Sequence, residues 1–354
     1  MSEFADLFDP NKPHDHCHLC VEMSGNHQNA LDGALDFIEA AHCAGADSIK
    51  LQAYTPDTIT FNSDRPDFRL PSDNDWSAYG TFYQLYEKAH TPWEWFPPMF
   101  AKAREFGIPI FASPFDPTAI DMLEDLGVPA YKIASPEVTD VGLIEKAAKT
   151  GKPVIVSTGL ASEADLDLAV SVLRKHDAPF MILKCTTAYP TPPEDVNLRS
   201  IPWLAERYGC TAGLSDHTIG IEAGLAACAL GGRLIEKHCK LPGDESSVDA
   251  AFSMPLDQLP GFRASLAAVI AALGEATLEM PEIAKPSLNG RRSLYVVAPI
   301  KAGEIFTHDN VRSIRPTYGL HPKFLSEILG KRAVRDIEPG ERMALSLIAD
   351  ETAD

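Results

Sequence analysis

The sequence predicts an α/β chain, a (β/α)8 barrel followed by a small β-rich domain, and three observations carry that expectation. Eight short β-branched runs alternate with helical patterns, and eight such units in about 260 residues fit the rhythm of a barrel. No GxGxxG or GxxxxGKS/T loop follows any of these runs, which removes the main support for a doubly wound nucleotide-binding sheet. After Gly274 the alternation stops, and a texture of short strands begins at Ser293.

The expected strands span residues 16–23, 48–54, 109–114, 130–135, 153–159, 180–187, 211–217 and 233–239. Helical periodicity falls at 30–44, 92–106, 118–126, 141–150, 163–176, 221–230 and, after the last strand, 258–273. Two connections are longer than plain βα loops. Residues 55–89 carry aromatics and Pro, and residues 187–197 read TAYPTPPEDVN, whose closely spaced prolines forbid a regular helix. Long loops after barrel strands build the mouth of a site. The expected organisation is a barrel over residues 1–275, a linker over 276–292 and a β domain over 293–354. Within the last, Pro299-Ile300-Lys301-Ala302-Gly303-Glu304 and Asp336-Ile337-Glu338-Pro339-Gly340-Glu341 repeat one phrase. Two similar turn-strand units follow, with little core of their own and a need to pack on something larger.

The 354 residues are 45% hydrophobic and 23% charged, an ordinary globular composition. Lys+Arg 31 against Asp+Glu 50 leaves a net charge of −19, a field that repels nucleic acid and anionic membrane, so neither is an expected partner. No apolar run approaches the ~20 residues of a bilayer span, and the polar opening has no signal-peptide core. A cytoplasmic chain is expected. Its seven scattered cysteines form no disulfide framework and are expected reduced.

In a barrel the chemistry collects at the C-terminal strand ends. Glu22 closes the first strand, Lys50 and Gln52 the second, Ser113 the third, and Lys132, Ser135 and Glu137 the fourth. Ser157 and Thr158 close the fifth, Lys184 and Thr186 the sixth, Ser215, Asp216 and His217 the seventh, and Glu236, Lys237 and His238 the eighth. Lysines and hydroxyls gathered at one rim of an acidic protein predict a local anion site, for a phosphate and a carboxylate. Residues two apart on a strand share a face, so Ser215 pairs with His217, and Glu236 with His238. Two imidazoles at the ends of adjacent strands can converge on one divalent cation. The tract His14-Asp15-His16-Cys17-His18-Leu19-Cys20 imitates a metal site, but a spacing of three on a strand turns Cys17 and Cys20 to opposite faces. It is expected to be a strand start. In Thr91-Pro92-Trp93-Glu94-Trp95-Phe96 the expectation is a Pro-initiated helix that buries both Trp rings against the barrel.

These phrases resemble the sialic acid synthase family of phosphoenolpyruvate-dependent nonulosonic acid synthases, barrel enzymes with a C-terminal antifreeze-like (SAF) domain. The resemblance runs over about residues 16–350 and rests on Glu22-Met23-Ser24-Gly25-Asn26-His27, Ser48-Ile49-Lys50-Leu51-Gln52, Tyr131-Lys132-Ile133-Ala134-Ser135, Gly213-Leu214-Ser215-Asp216-His217-Thr218 and Ile235-Glu236-Lys237-His238. Tyr86 to Trp95, Ala251-Phe252-Ser253 and Arg315 to Pro322 are most similar to the branch that makes pseudaminic acid.

The resemblance implies condensation of phosphoenolpyruvate with the open-chain aldehyde of an N-acetylated sugar, 2,4-diacetamido-2,4,6-trideoxy-L-altrose in that branch, with release of phosphate. N-acetylneuraminate and legionaminate synthesis are the alternatives. It implies that Lys50, Gln52, Ser113, Lys132, Ser135, Ser157, Tyr189 and Ser215 bind substrate, that His217 and His238 hold Mn2+ or Mg2+, and that Glu22, Glu137 and Asp249 take part in catalysis. Which of Glu22 and Glu137 activates water is left open. It further implies a domain-swapped homodimer in which Arg315 reaches the partner's site. The loop Leu241 to Asp249 departs from the family pattern and residues 65–79 from that of the pseudaminic branch, and both changes fall on the sugar side.

Overall fold

The computed structural model of the chain describes residues 2–72 and 76–349. They form two compact units, divided after Gly274. The first is a closed parallel barrel of β1 (His18–Glu22), β2 (Ser48–Ala53), β3 (Ile110–Pro114), β4 (Tyr131–Ile133), β5 (Val154–Ser157), β6 (Phe180–Cys185), β7 (Thr211–Asp216) and β8 (Leu234–Lys240). Each strand pairs with the next, and β8 closes on β1 through the register His18↔Leu234 to Glu22↔His238. A two-residue strand, β9 (Met254–Pro255), pairs in parallel with the end of β8.

All eight expected strands are present. The fourth is shorter than expected because Ser135 already opens a 3₁₀ helix, Ser135–Thr139, with Pro136 in its first turn. The expected helix at 92–106 divides into a 3₁₀ turn, Trp93–Trp95, and the helix Phe96–Phe106, whose first turn accommodates Pro97 and Pro98. Trp93 and Trp95 pack on the barrel core, as expected for their rings. Among the helices added to the sequence reading are Ser2–Asp6, Phe82–Ala89 and Ser200–Tyr208, with the single turns Pro56–Ile59 and Leu325–Ile328. The second lies inside the expected long loop, started by Thr81, whose hydroxyl accepts the Gln84 N–H at 3.2 Å.

Strand alternation divides the core in two. Leu19, Val21, Ile49, Leu51, Tyr131, Ile133, Val154, Val156, Leu214 and Ile235 face the helices and pack with residues such as Phe37, Phe96 and Phe262. Cys20, Phe111, Ala130, Ile155, Met181, Leu183 and Leu234 face inward and fill the barrel's N-terminal half. Phe4, Leu7 and Phe8 belong to the same cluster, so the N-terminal segment plugs the bottom of the barrel, with the rings of Phe4 and Phe111 5.7 Å apart. Cys17 faces the helix layer and Cys20 the interior, as their spacing requires, so the CxxC pair cannot share a ligand.

In the second unit, β10 (Ser293–Val296) and β11 (Val311–Ile314) pair antiparallel. The repeated phrases meet each other: Ile300 and Ile337 exchange backbone hydrogen bonds of 3.0 and 2.8 Å, and Lys301 pairs with Asp336 at 2.8 Å. The expected linker carries a 3₁₀ helix, Glu282–Gly290. The unit expected to bury little core has a small one, in which Leu294, Val296, Ile300, Phe306, Val311, Ile328, Ala333, Ile337, Met343 and Leu347 are buried. The duplication explains this, because each copy supplies the apolar face that the other covers.

Gly213 on β7 is required by close approach, since a Cβ there would lie 2.2 Å from the Leu234 carbonyl oxygen of the neighbouring strand. Backbone cannot yield as a side chain tip can. We expect Gly213→Ala to lower unfolding free energy by about 1–3 kcal/mol in denaturant titrations; an unchanged midpoint would show that β7 and β8 can separate freely.

Candidate active site

The same alternation that fills the lower barrel with apolar groups turns Glu22, Lys50, Gln52, Ser113, Lys132, Ser157, Ser215, His217, Glu236 and His238 inward at the C-terminal end. Lys50 and Lys132 are each 2% exposed, so their charges must be met inside the protein. Lys50 Nζ lies 2.6 Å from Glu22 Oε1 and 3.6 Å from Glu236 Oε1, and donates to Ser113 Oγ at 3.4 Å. Lys132 Nζ reaches the same Glu236 oxygen at 3.0 Å, which also accepts the Ser215 hydroxyl at 2.9 Å. Gln52 Nε2 donates to Glu22 Oε1 at 2.9 Å. Four strands and four charges thus form one buried network.

Burial by itself would raise the pKa of Glu22, but Lys50, His238 and Lys132 outweigh it and hold the carboxyl well below the usual range. Burial likewise opposes the charge on Lys50, and Glu22 and Glu236 reverse that effect, keeping the ammonium charged. Glu137 has the opposite fate. On the 3₁₀ turn after β4, burial raises its pKa to about 7, only partly relieved by backbone hydrogen bonding and Lys132. Its Oε2 is buried without a hydrogen-bond partner, as are Glu236 Oε2 and Ser157 Oγ. Unmet polar atoms converging on one end of a barrel are what a polar ligand would satisfy.

The two predicted metal ligands meet. His217 and His238 have ring centroids 5.3 Å apart, and the ring of Tyr189 packs on His217 at 4.2 Å, with Phe252 beside it at 5.0 Å. His217 Nδ1 faces the Thr186 carbonyl oxygen at 2.9 Å, which assigns its proton to Nδ1 and leaves Nε2 as a lone pair. His238 Nε2 lies 3.5 Å from Glu22 Oε2, and its Nδ1 is buried with no partner. Burial lowers the pKa of His238. Burial opposes charge on His217 too, but Cys185 at 3.9 Å, the Thr186 carbonyl and Glu22 raise it, and the thiol falls to about 7 against its own burial.

Asp249, in the turn before β9, accepts the Gly25 N–H on Oδ2 at 3.1 Å, so it is tied to the loop after β1. Ser135 Oγ accepts the Gly159 N–H at 3.0 Å. A Cβ on Gly159 would lie 2.1 Å from Thr187 Oγ1, so only glycine brings the β5 and β6 loops this close. Arg315 follows β11 in the second unit, exposed.

Some rim residues do not join. Lys237 and Asp216 have helix-facing parity and pair with each other at 2.7 Å, with Lys237 also donating to the Thr218 carbonyl at 2.8 Å. Lys184 points to the same layer and donates to the Cys185 carbonyl and to Thr186 Oγ1, at 2.5 and 3.2 Å. The sequence reading placed all three at the rim without dividing them by parity. Conversely, it assigned Glu236 no role, although the period of two that singles out His238 turns Glu236 inward as well.

A barrel whose C-terminal rim buries paired lysines, orphan hydroxyls and two facing imidazoles has the chemistry to hold a small anionic ligand. Residues 37–277 match the NeuB family, and residues 291–342 match the SAF domain. Over 326 residues the chain is 44% identical to pseudaminic acid synthase of Campylobacter jejuni serotype O:23/36, covering 92% of this chain and 94% of that protein. It is 42% identical to pseudaminic acid synthase of Helicobacter pylori, over 89% of this chain and 93% of that protein. The crystal structure of N-acetylneuraminic acid (sialic acid) synthetase from Leptospira borgpetersenii in complex with citrate superposes with TM-score 0.68 at 30% identity, covering 77% of this chain and 91% of that one. The chain belongs to the NeuB family and is an enzyme of it, as the motifs at the strand ends led one to expect.

A carboxyl whose pKa is higher in the folded state binds its proton more tightly there. Its contribution to stability is complete below about 4.5 and is lost as pH rises through about 7. Relative to wild type, Glu137→Gln should therefore gain up to about 3 kcal/mol between those limits, read from denaturant midpoints as a function of pH. A pH-independent difference would refute the raised pKa.

Proposed function

We propose that the enzyme condenses phosphoenolpyruvate with the open-chain aldehyde of an N-acetylated sugar and water, releasing phosphate and forming a nine-carbon 2-keto acid. The sugar is 2,4-diacetamido-2,4,6-trideoxy-L-altrose and the product pseudaminic acid. The observation that carries this reading is the buried Glu22–Lys50–Glu236–Lys132 network, set in a chain 44% identical to a pseudaminic acid synthase.

Lys50 and Lys132 meet the phosphate and carboxylate of phosphoenolpyruvate, with hydroxyl donors from Ser113, Ser135, Ser157 and Ser215 around them. Of the three donors of its ammonium, Lys132 gives one to Glu236 Oε1 and has others to offer. Ser157, whose hydroxyl lacks a partner, gains one from the ligand. The unprotonated nitrogens of His217 and His238, with Glu22 Oε2 beside them, suit a divalent cation such as Mn2+ or Mg2+. Bound there, the cation supplies Lewis-acid polarisation of the aldehyde oxygen.

Carbon–carbon bond formation at C3 of the enolpyruvate leaves positive charge at C2. Glu22 is the group to face that charge, because Lys50 holds it ionised at working pH. Glu137 is the group to exchange a proton with the water that adds at C2, because its pKa of about 7 lets it hold or release one near neutrality. Gln52 orients Glu22 through the 2.9 Å hydrogen bond. Asp249 and Tyr189 take the sugar side, where Tyr189 also lines the two imidazoles. We further propose a domain-swapped homodimer, in which a guanidinium from the partner's Arg315 completes the sugar pocket. Among the described residues no helix is long and apolar enough to cross a membrane.

Phosphate release with phosphoenolpyruvate and a panel of N-acetyl and diacetamido sugars tests the substrate. The expected outcome is a kcat/KM at least ~10-fold higher for the altro-configured diacetamido sugar than for N-acetylmannosamine, since a pocket shaped around a 6-methyl leaves extra hydroxyls unpaired. Preference for N-acetylmannosamine overturns the sugar assignment and leaves the phosphoenolpyruvate half standing.

Subunit exchange tests the swap. Inactive His217→Ala and Arg315→Ala chains, mixed equally, should recover roughly a quarter of wild-type activity, because half the dimers are mixed and each has one whole site of two. Verified exchange with no recovery shows that Arg315 serves its own barrel.

A further inference from the structure

At the opposite, N-terminal end of the barrel, three ligand-type side chains converge where the sequence reading expected only a strand start. His14, Cys17 and Cys228 each place one ligand atom so that all three lie within 4.8 Å of one another. Cys17 and Cys228 are buried, and His14 Nε2 is fully enclosed with no hydrogen-bond partner. The elements that bring them together are far apart in sequence. Cys228 lies in the helix Glu222–Ala229, and Cys17 faces that helix layer from the residue before β1. Arg233, just ahead of β8, donates to the carbonyls of Lys12 and Pro13, which fixes the backbone that carries His14. Cys17 Sγ is further located by its bond to the Gly232 carbonyl oxygen at 3.3 Å.

We infer that His14, Cys17 and Cys228 bind a thiophilic d10 cation of the Zn2+ class, with the fourth position left to solvent. Two thiolates and one imidazole are a soft, tetrahedral donor set. In such a site the ligand atoms stand about 3.8 Å apart, so rotations of the side chains close the present spacing. Both sulfurs bind the cation as thiolates, so each one still protonated gives its proton to solvent, Cys17 the one it now shares with the Gly232 carbonyl. A Cys17–Cys228 disulfide would leave His14 Nε2 as unmet as before, whereas a cation satisfies all three groups. Access is at hand, because a pocket of about 310 Å³ lined by Asp15, His16, Arg263 and Leu266 opens onto Cys17. The neighbouring His16, His18 and Asp47 are the weaker set, since Asp47 Oδ2 already meets Arg263 at 2.6 Å, His16 at 3.1 Å and the Leu19 N–H at 2.8 Å. The cation joins the N-terminal segment to the helix layer. Its role is to hold the barrel plug, and it has no part in the chemistry at the other end.

Full-length protein, reduced and stripped with chelator, is titrated with Co2+ and then Zn2+. In His217→Ala protein, whose imidazole pair at the other end cannot compete for the ion, the expected result is a thiolate-to-cobalt charge-transfer band with one site per chain, proton release on binding, and bleaching by one equivalent of Zn2+. Cys17→Ser, Cys228→Ser and His14→Ala should each weaken cobalt binding by about 100-fold or more, beyond what loss of an outer-shell partner costs. His14 is only part-buried and lies outside any helix or strand, so its variant keeps the test usable if a cysteine variant misfolds. His217→Ala should retain the band. The inference is overturned by absence of the band, by a band lost in His217→Ala but kept in His14→Ala, or by a Cys17–Cys228 disulfide that reforms in air with equimolar Zn2+ present.

Discussion

The barrel depends on the pairing of Lys50 with Glu22 and Glu236. An ammonium in a dry interior is tolerated only when carboxylates meet it, and the desolvation cost of each ion is several kcal/mol before pairing. Three carboxylate contacts, counting Lys132 with Glu236, tie β1, β2, β4 and β8 together at the rim. The network is therefore an organising constraint more than a source of stability. It forces each member to one rotamer and leaves specific polar atoms, Ser157 Oγ and Glu236 Oε2 among them, pointing into the same space.

From that constraint follows the division of labour between two carboxyls of one type. Glu22 sits against a lysine and stays ionised, while Glu137, one turn past β4, has an enclosed Oε2 with weaker compensation and titrates near neutrality. Environment has separated an electrostatic group from a proton-exchanging one. The lower half of the barrel shows the complementary logic. There Phe4, Leu7, Phe8, Phe111 and Met181 exclude water, which keeps the charges above them in a medium where pairing matters. Stability and chemistry occupy opposite ends of one pore-shaped core.

Much of this was legible in the residues. Eight strands, their order and their polar ends followed from alternation and from the grouping of Lys, Ser, His and Glu at one end of each run. The two-residue period also brought His217 toward His238. Other features were not legible, each for a physical reason. The helix Phe82–Ala89 was hidden in an aromatic, Pro-flanked stretch whose periodicity is too short to separate from a loop, and the core of the second unit was hidden because its two halves are apolar only toward each other.

The sequence by itself determined the barrel, the family resemblance and the roster of rim residues, because hydrophobic period and residue type are local properties. Tertiary structure alone decided which of those residues share a space. Lys237 and Lys184 are as close to strand ends as Lys50, and although parity alone turns them from the interior, only the packed structure supplies the Asp216 carboxylate and backbone carbonyls that occupy them. Glu236 becomes the hub of the site only because closure of β8 on β1 brings it beside residues nearly two hundred positions away. The same closure sets Cys228 beside Cys17 and His14. Ring closure is a long-range condition, and no window of sequence contains it.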